Sequence, residues 1–146
     1  MSFEAAWSHA QSIGGWLTEQ QARMLFDAAT EVPEGQAIVE IGSHHGRSTV
    51  LLASAKKPGV TLLAVDPYDD QRWGGGQDAF AIFQSNLRSS GVESDVTLAR
   101  KYGADAGRDW TGAPIRLLFV DGAHDYQTVV ADLAAWMPHV LPAGSL

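Results

Sequence analysis

The sequence predicts an α/β fold: a doubly wound parallel sheet with helices on both faces. Three observations predict it. Short apolar runs, among them Ala37–Ile41, Thr61–Val65 and Ile115–Val120, are nearly continuous, as in strands buried on both faces. Segments of helical periodicity separate them, so the order is strand, helix, strand. The first, second and fourth runs stop on Gly42, Asp66 and Asp121, residues that suit the exposed ends of strands.

The elements follow in order. Thr18-Glu19-Gln20-Gln21 fits a capping box, in which a hydroxyl and an amide side chain satisfy two free N–H groups at a helix start. Ala22, Leu25, Phe26 and Ala29 then recur at one helix face, and Val32-Pro33-Glu34-Gly35 ends that helix. Residues 1–35 are therefore a helical lead-in. Ala37–Ile41 is the first strand, residues 42–46 a turn, and Arg47–Ala55 a helix. Lys56-Lys57-Pro58-Gly59 is a loop before the second strand, Thr61–Val65, which Asp66-Pro67 stops. Residues 67–77, with Trp73 and Gly74-Gly75-Gly76, form a loop that could act as a lid. Residues 78–89 are a helix with Phe80, Phe83 and Leu87 on one side, capped by Gly91. Val96-Thr97-Leu98-Ala99 is a third strand, followed by a loop or short helix. Ile115–Val120 is the fourth. Tyr126, Val129, Val130, Leu133 and Met137 make one face of a last helix, closed by Pro138 and Pro142-Ala143-Gly144.

Composition narrows the function. The chain has 146 residues, 45% of them apolar and 18% charged, which suits one globular domain. A net charge of −7 argues against a nucleic-acid partner held by phosphate neutralisation. There is no cysteine, hence no disulfide, thiolate metal site or cysteine nucleophile. No basic and apolar leader opens the sequence, and no run approaches the about 18 apolar residues of a membrane span. The expectation is a cytoplasmic protein with no membrane partner.

In a doubly wound sheet ligands sit outside the C-terminal strand ends. After the first strand, Gly42 and Gly46 allow a sharp turn and close backbone approach, and the next helix start offers N–H groups to an anion. Asp66 can accept hydrogen bonds from ribose hydroxyls. Glycine turn and strand-end acid together indicate an adenosine-containing ligand. At the fourth strand end, Asp121 projects into the crevice, as a catalytic carboxylate or a ligand for Mg²⁺. His124 could accept a proton from a substrate hydroxyl; alternatively, His124 and Asp125 cap the last helix. His44 and His45 read as polar loop residues beside that ligand rather than as metal ligands, and Arg47 as a surface residue rather than the partner of a carboxylate.

Glu40-Ile41-Gly42-x-x-x-Gly46-x-Ser48-Thr49, then Asp66, then Val120-Asp121-Gly122-x-His124-x-Tyr126 resemble the class I S-adenosylmethionine-dependent methyltransferases, in the branch of catechol-type and macrocin-type O-methyltransferases. Gly15-Trp16-Leu17-Thr18-x-x-Gln21-Ala22 is similar to that branch as well. The resemblance implies a Rossmann-like domain and O-methyl transfer to a small-molecule hydroxyl. It implies that Glu40 and Gly42 lie at the methionine end of the cofactor, with Ser43 and Gly46 shaping the loop. Ser48 would bind the methionine carboxylate, Asp66 the ribose, and Tyr102 and Gly103 the adenine, although members often carry serine where Gly103 stands. Asp121 would be the first metal or catalytic carboxylate.

One departure bears on the whole domain. The family leads through a Pro-Gly-Gly-like turn into a fifth strand. Here Leu141-Pro142-Ala143-Gly144 reads as that turn, and the sequence stops at Leu146. The expectation is a truncated domain over residues 1–146 without its C-terminal strands. Its fourth strand would have an open outer edge seeking a second copy of the chain. Two other functions stay in view. One is a cofactor-binding or interaction domain without catalysis. The other is an NAD(P)-dependent oxidoreductase, whose glycines at first, third and sixth positions are not matched, since His44 and Arg47 fall at the third and sixth.

Overall fold

The computed structural model of the chain describes residues 1–69, 77–121 and 125–145. In chain order the elements are α1 (Phe3–Ala10), α2 (Glu19–Thr30), β1 (Ala37–Ile41), α3 (Arg47–Ala55), β2 (Thr61–Val65) and α4 (Gln77–Ser89). They continue with β3 (Thr97–Ala99), α5 (Gly103–Asp109), β4 (Ile115–Val120), α6 (Tyr126–Trp136) and β5 (Val140–Ser145). The strands form one sheet in the order β3-β2-β1-β4-β5, and every pairing is parallel. The direction of winding reverses between β1 and β4, which opens a crevice at their C-terminal ends.

Alternation along each strand feeds two cores. Ile38, Leu62, Ala64 and Leu117 face α1, α2, α3 and α4, where Phe26, Leu51 and Phe83 are buried. Ala37, Val39, Ile41, Leu63 and Val65 face α5 and α6, around Trp136. β4 breaks strict alternation, because Ile115 and Leu118 lie in the same core three positions apart. The pairing register with β1 shifts between Ile115 and Leu117, and this irregularity turns the strand over. The capping box of α2 is present: Gln21 N–H donates to Thr18 Oγ1 at 3.2 Å, and Thr18 N–H to Gln21 Oε1 at 3.1 Å. All four apolar positions expected on α2 are buried, and burying Leu25 or Phe26 contributes about 1.5–3 kcal/mol each.

The expected loss of the fifth strand is overturned. Val140–Ser145 is a strand, paired in parallel with β4 at Ile115↔Val140 and Leu117↔Ser145. Pro142-Ala143-Gly144 lies inside it rather than before it. Proline is tolerated there because an edge strand has one side that needs no ladder hydrogen bond. The outer edge of β4, expected to be open to a second copy, is therefore occupied by β5 of the same chain. Residues 1–10, given no separate helix by periodicity, form α1, whose start is capped by Ser2 accepting from Ala5 N–H. Among the described residues no helix is long and apolar enough to cross a membrane.

Close packing fixes α5 against α6. Trp136 is fully buried and donates its indole N–H to Gly103 O at 2.8 Å. A Cβ on Gly103 would come within 2.5 Å of Asp132 Oδ1 and 2.8 Å of Ile41 Cγ2. Gly103→Ala is thus expected to lower stability by about 1–3 kcal/mol through overpacking, read as a shifted urea midpoint with unchanged slope; a wild-type midpoint would show that α5 moves freely.

Candidate active site

The sheet ladder runs one residue past three strands and so fixes the crevice floor. Gly42 N–H donates to Val65 O, Asp66 N–H to Ala99 O and Asp121 N–H to Ile41 O, at 2.8, 3.1 and 2.8 Å. Between β1 and α3 the backbone takes positive φ at alternate residues: Gly42 at 90°, His44 at 49° and Gly46 at 93°. Gly46 has two reasons to be glycine, its φ and the Phe83 ring, which a Cβ would approach to 3.1 Å. His44 has no such freedom and is held from both sides. Its N–H donates to Asp66 Oδ2 at 3.0 Å, and its carbonyl accepts from the Tyr68 hydroxyl at 2.7 Å. Tyr68 N–H closes the clamp on Asp66 Oδ1 at 2.9 Å. From α4, the Asn86 side-chain amide donates to His45 O at 2.8 Å.

Glu40 lies beneath this loop with no solvent exposure. Ser48 Oγ donates to its Oε1 at 2.6 Å, and Thr49 Oγ1 to its Oε2 at 2.8 Å. Burial raises its pKa from the usual 4.5 to about 7; the two hydroxyls oppose this and the charges of Asp121 and Asp66 add to it. Burial lowers the pKa of both His44 and His45, helped for His44 by its histidine neighbour and opposed by Asp66. Burial and the charges of Asp66 and Glu40 push the Tyr68 phenol well above its ordinary range, so it stays a donor.

The loop forms one side of a cleft. The other side is residues 14–17 and Asp121, which is exposed. Arg47 ties the two sides together. Its Nη1 donates to Gly15 O at 3.1 Å, and its guanidinium lies 5.0 Å from the Trp7 ring centre. The expectation of a surface role for Arg47 is corrected: the lead-in folds over α3 and meets it. Trp16 packs on His44 with ring centres 5.2 Å apart, and His44 stacks on His45 at 3.9 Å.

The sequence-derived site residues are thus distributed as follows. Glu40, Ser48 and Thr49 form a buried cluster, so the Ser48 proton goes to Glu40. Gly42, Ser43 and Ser48 line the cleft with Asp121. Asp66 sits at the β2 end, both carboxylate oxygens holding backbone N–H groups, each with lone pairs to spare. Tyr102 lies further along, over a hollow of about 470 Å³ bordered by Pro67, Asp69 and Arg100, and donates its hydroxyl to Asp69. Gly103 turns toward Asp132. Asp125 caps α6, accepting from Thr128 N–H and Oγ1 at 2.9 and 2.8 Å. His124, Gly122 and residues 70–76 of the expected loop, with Trp73, lie outside the described residues, and Gln77 belongs to α4 rather than to that loop. Among the described residues no three carboxylates or histidines gather as a metal would require.

Two participants, Tyr68 and Asp132, were missed, and Thr49 stood in the motif without a role of its own. Tyr68 follows Asp66 by two positions, a spacing that lets one carboxylate hold the other's backbone. Thr49 stands with Ser48 in the first turn after an acid in an apolar strand, and that triple was a readable signal. Asp132, buried on α6, accepts a hydrogen bond from Ala104 N–H while burial raises its pKa; no sequence pattern marks it.

Two features fit S-adenosylmethionine. Ser43 Oγ is buried without a hydrogen-bond partner beside the cleft, a donor kept for something that enters. The start of α3 carries no side-chain cap, leaving its N–H groups and positive dipole end for a carboxylate.

The sequence profile of the family described as "Methyltransferase domain" matches residues 39–146, most of the chain. The chain belongs to this methyltransferase-domain family. Solved structures agree on the fold. An O-methyltransferase from Bacillus cereus in complex with SAH superposes with a TM-score of 0.71 and 19% identity, over 95% of this chain and 60% of that one. The O-methyltransferase TomG from Streptomyces achromogenes, in complex with SAM, gives 0.69 and 22%, over 97% and 63%. This methyltransferase domain therefore spans about three fifths of the length of these two neighbours. It is also 35% identical over 94 residues to a hydroxyethylthiazole kinase from Burkholderia pseudomallei, covering 64% of this chain and 32% of that protein. That likeness takes in too little of the kinase to place the domain in its family.

Proposed function

We propose that this domain binds S-adenosylmethionine across the ends of β1 and β2 and transfers its methyl group to a hydroxyl of a small molecule. The observation that carries the reading is the β1–α3 loop. Its alternating left-handed backbone is fixed between the buried Glu40 and the strand-end Asp66, and Ser43 Oγ lies unpartnered beside the cleft. When bound, the cofactor supplies an activated methyl group on a sulfonium. The chain's own residues bind and orient it. The α3 N-terminus and Ser43 receive the amino-acid end, and the remaining lone pairs of Asp66 receive the ribose hydroxyls. Tyr102 borders the adenine side. Asp121, exposed at the cleft, holds an acceptor hydroxyl by a hydrogen bond.

The O-methyltransferase neighbours support a hydroxyl acceptor. Calorimetry with S-adenosylhomocysteine and with NADH, followed by a labelled-methyl assay against small hydroxyl compounds, tests it. The expected result is S-adenosylhomocysteine binding, no NADH binding, and label in an ether product. Binding with no transfer to any acceptor would leave a cofactor-binding domain without catalysis. Binding of NADH alone would overturn the reading.

A further inference from the structure

α6 is turned against its own apolar pattern. Tyr126, Val130 and Met137, which the sequence places together on one face of the last helix, are exposed, while Asp132 and Trp136 are buried. Burying a carboxylate is costly, and an apolar side chain would pack α6 on α5 without that cost. Asp132 is nonetheless only 3% exposed.

What Asp132 holds accounts for its burial. The peptide unit between Gly103 and Ala104 is gripped at both ends. Asp132 accepts from Ala104 N–H, and the Trp136 indole N–H donates to Gly103 O at 2.8 Å. The two side chains are four positions apart and share one helix face. Tyr102, at the start of α5, gives that helix no side-chain cap, so α6 supplies the missing acceptor from another element. The peptide also has no room to turn, since Gly103 lies tight against Asp132 and Ile41.

The clamped peptide adjoins Tyr102, which borders the hollow of about 470 Å³. With the cofactor's amino-acid end at the start of α3 and its ribose at Asp66, the base extends away from α3, past β2 toward the end of β3. Asp66 N–H on Ala99 O sets those two strand ends side by side, and Tyr102 follows Ala99 by three residues. We propose that Asp132 and Trp136 are positioning residues: by clamping the Gly103–Ala104 peptide from α6, they set the Tyr102 turn against which the cofactor's base rests. The inference rests on the binding reading above and adds two residues that act through the backbone rather than on the ligand. A turn already held from both ends loses little freedom when a ligand arrives; a released turn must be ordered on binding, which lowers affinity. The carboxyl serves as an acceptor and not as a charge, because its partner is a neutral N–H.

The test is calorimetry on the full chain with S-adenosylhomocysteine and with 5′-methylthioadenosine, which has the same nucleoside and no amino-acid end, beside urea unfolding of the same variants. Asp132→Ala is expected to weaken both ligands by the same factor, roughly 3- to 10-fold, the worth of about one hydrogen bond. Asp132→Asn retains an acceptor oxygen for Ala104 N–H and should bind both within about twofold of the wild type. Trp136→Phe keeps a ring and loses the indole N–H; it should weaken both ligands as well, and it carries the test if Asp132→Ala does not fold. Lower stability with both affinities unchanged would reduce the clamp to helix packing and overturn the proposal. Loss of S-adenosylhomocysteine affinity alone would put the effect at the amino-acid end and overturn it equally, leaving the binding reading intact. If the wild type binds neither ligand, the binding reading fails and the positioning role with it.

Discussion

Asp66→Ala is expected to loosen the β1–α3 loop and abolish most cofactor affinity together. The carboxylate accepts from His44 and Tyr68 N–H groups at 3.0 and 2.9 Å. Hydrogen bonds to a charged group contribute about 1.5–3 kcal/mol each. Both N–H groups are only partly buried, so water replaces some of this, and a stability loss of about 2–4 kcal/mol is expected. His44 then loses the restraint on its φ of 49°, and the loop no longer presents the cleft. If Asp66 also takes the ribose hydroxyls, S-adenosylhomocysteine affinity falls by a further roughly 10- to 150-fold. Asp66→Asn separates the two roles, because its single carbonyl oxygen keeps one backbone partner while the charge is gone. Urea unfolding and calorimetry on both variants read the outcome. Wild-type stability and affinity in Asp66→Ala would remove the residue from both loop and site.

This pairing also marks what the sequence could disclose. Gly42, Gly46, Asp66 and Asp121 stand at strand ends, where a local rule connects residue type to position. The fold was legible for the same reason: β1, β2 and β4 are apolar runs, and α2 and α4 are periodic. The contacts that shape the site cross the sequence. Tyr68 reaches back to His44, Arg47 to Gly15, and Asp132 to the start of α5. None has a periodicity, and each depends on the fold bringing two segments distant in sequence together. β5 escaped for a different reason. Pro142-Ala143-Gly144 carries turn chemistry, and its neighbour β4 makes it an edge strand all the same.

Glu40 should make the fold less stable as pH rises, which is the reverse of the common behaviour of a paired carboxylate. Its folded pKa of about 7 lies above the usual 4.5. Between these values the folded chain holds a proton that the unfolded chain has released. Stability therefore falls as pH rises from about 4.5 through about 7, and the penalty is constant above that. Its size is roughly 3 kcal/mol, from about 1.4 kcal/mol for each pKa unit. Glu40→Gln removes the titration. It keeps an oxygen for one of Ser48 and Thr49, and the other hydroxyl can turn to accept from the amide. The variant is expected to be more stable than the wild type at pH 8 by about 1–3 kcal/mol and close to it at pH 5, followed by thermal unfolding in both buffers. A wild type with no decline in stability from pH 5 to pH 8 would mean that Ser48 and Thr49 fully offset the burial. A domain that keeps a destabilising carboxylate under its ligand loop is spending stability on the site. Glu40→Gln should accordingly bind S-adenosylhomocysteine more weakly at pH 8, because the cofactor's ammonium loses the one negative charge buried beneath the loop. A variant both more stable and equally tight in binding would reduce Glu40 to a packing residue.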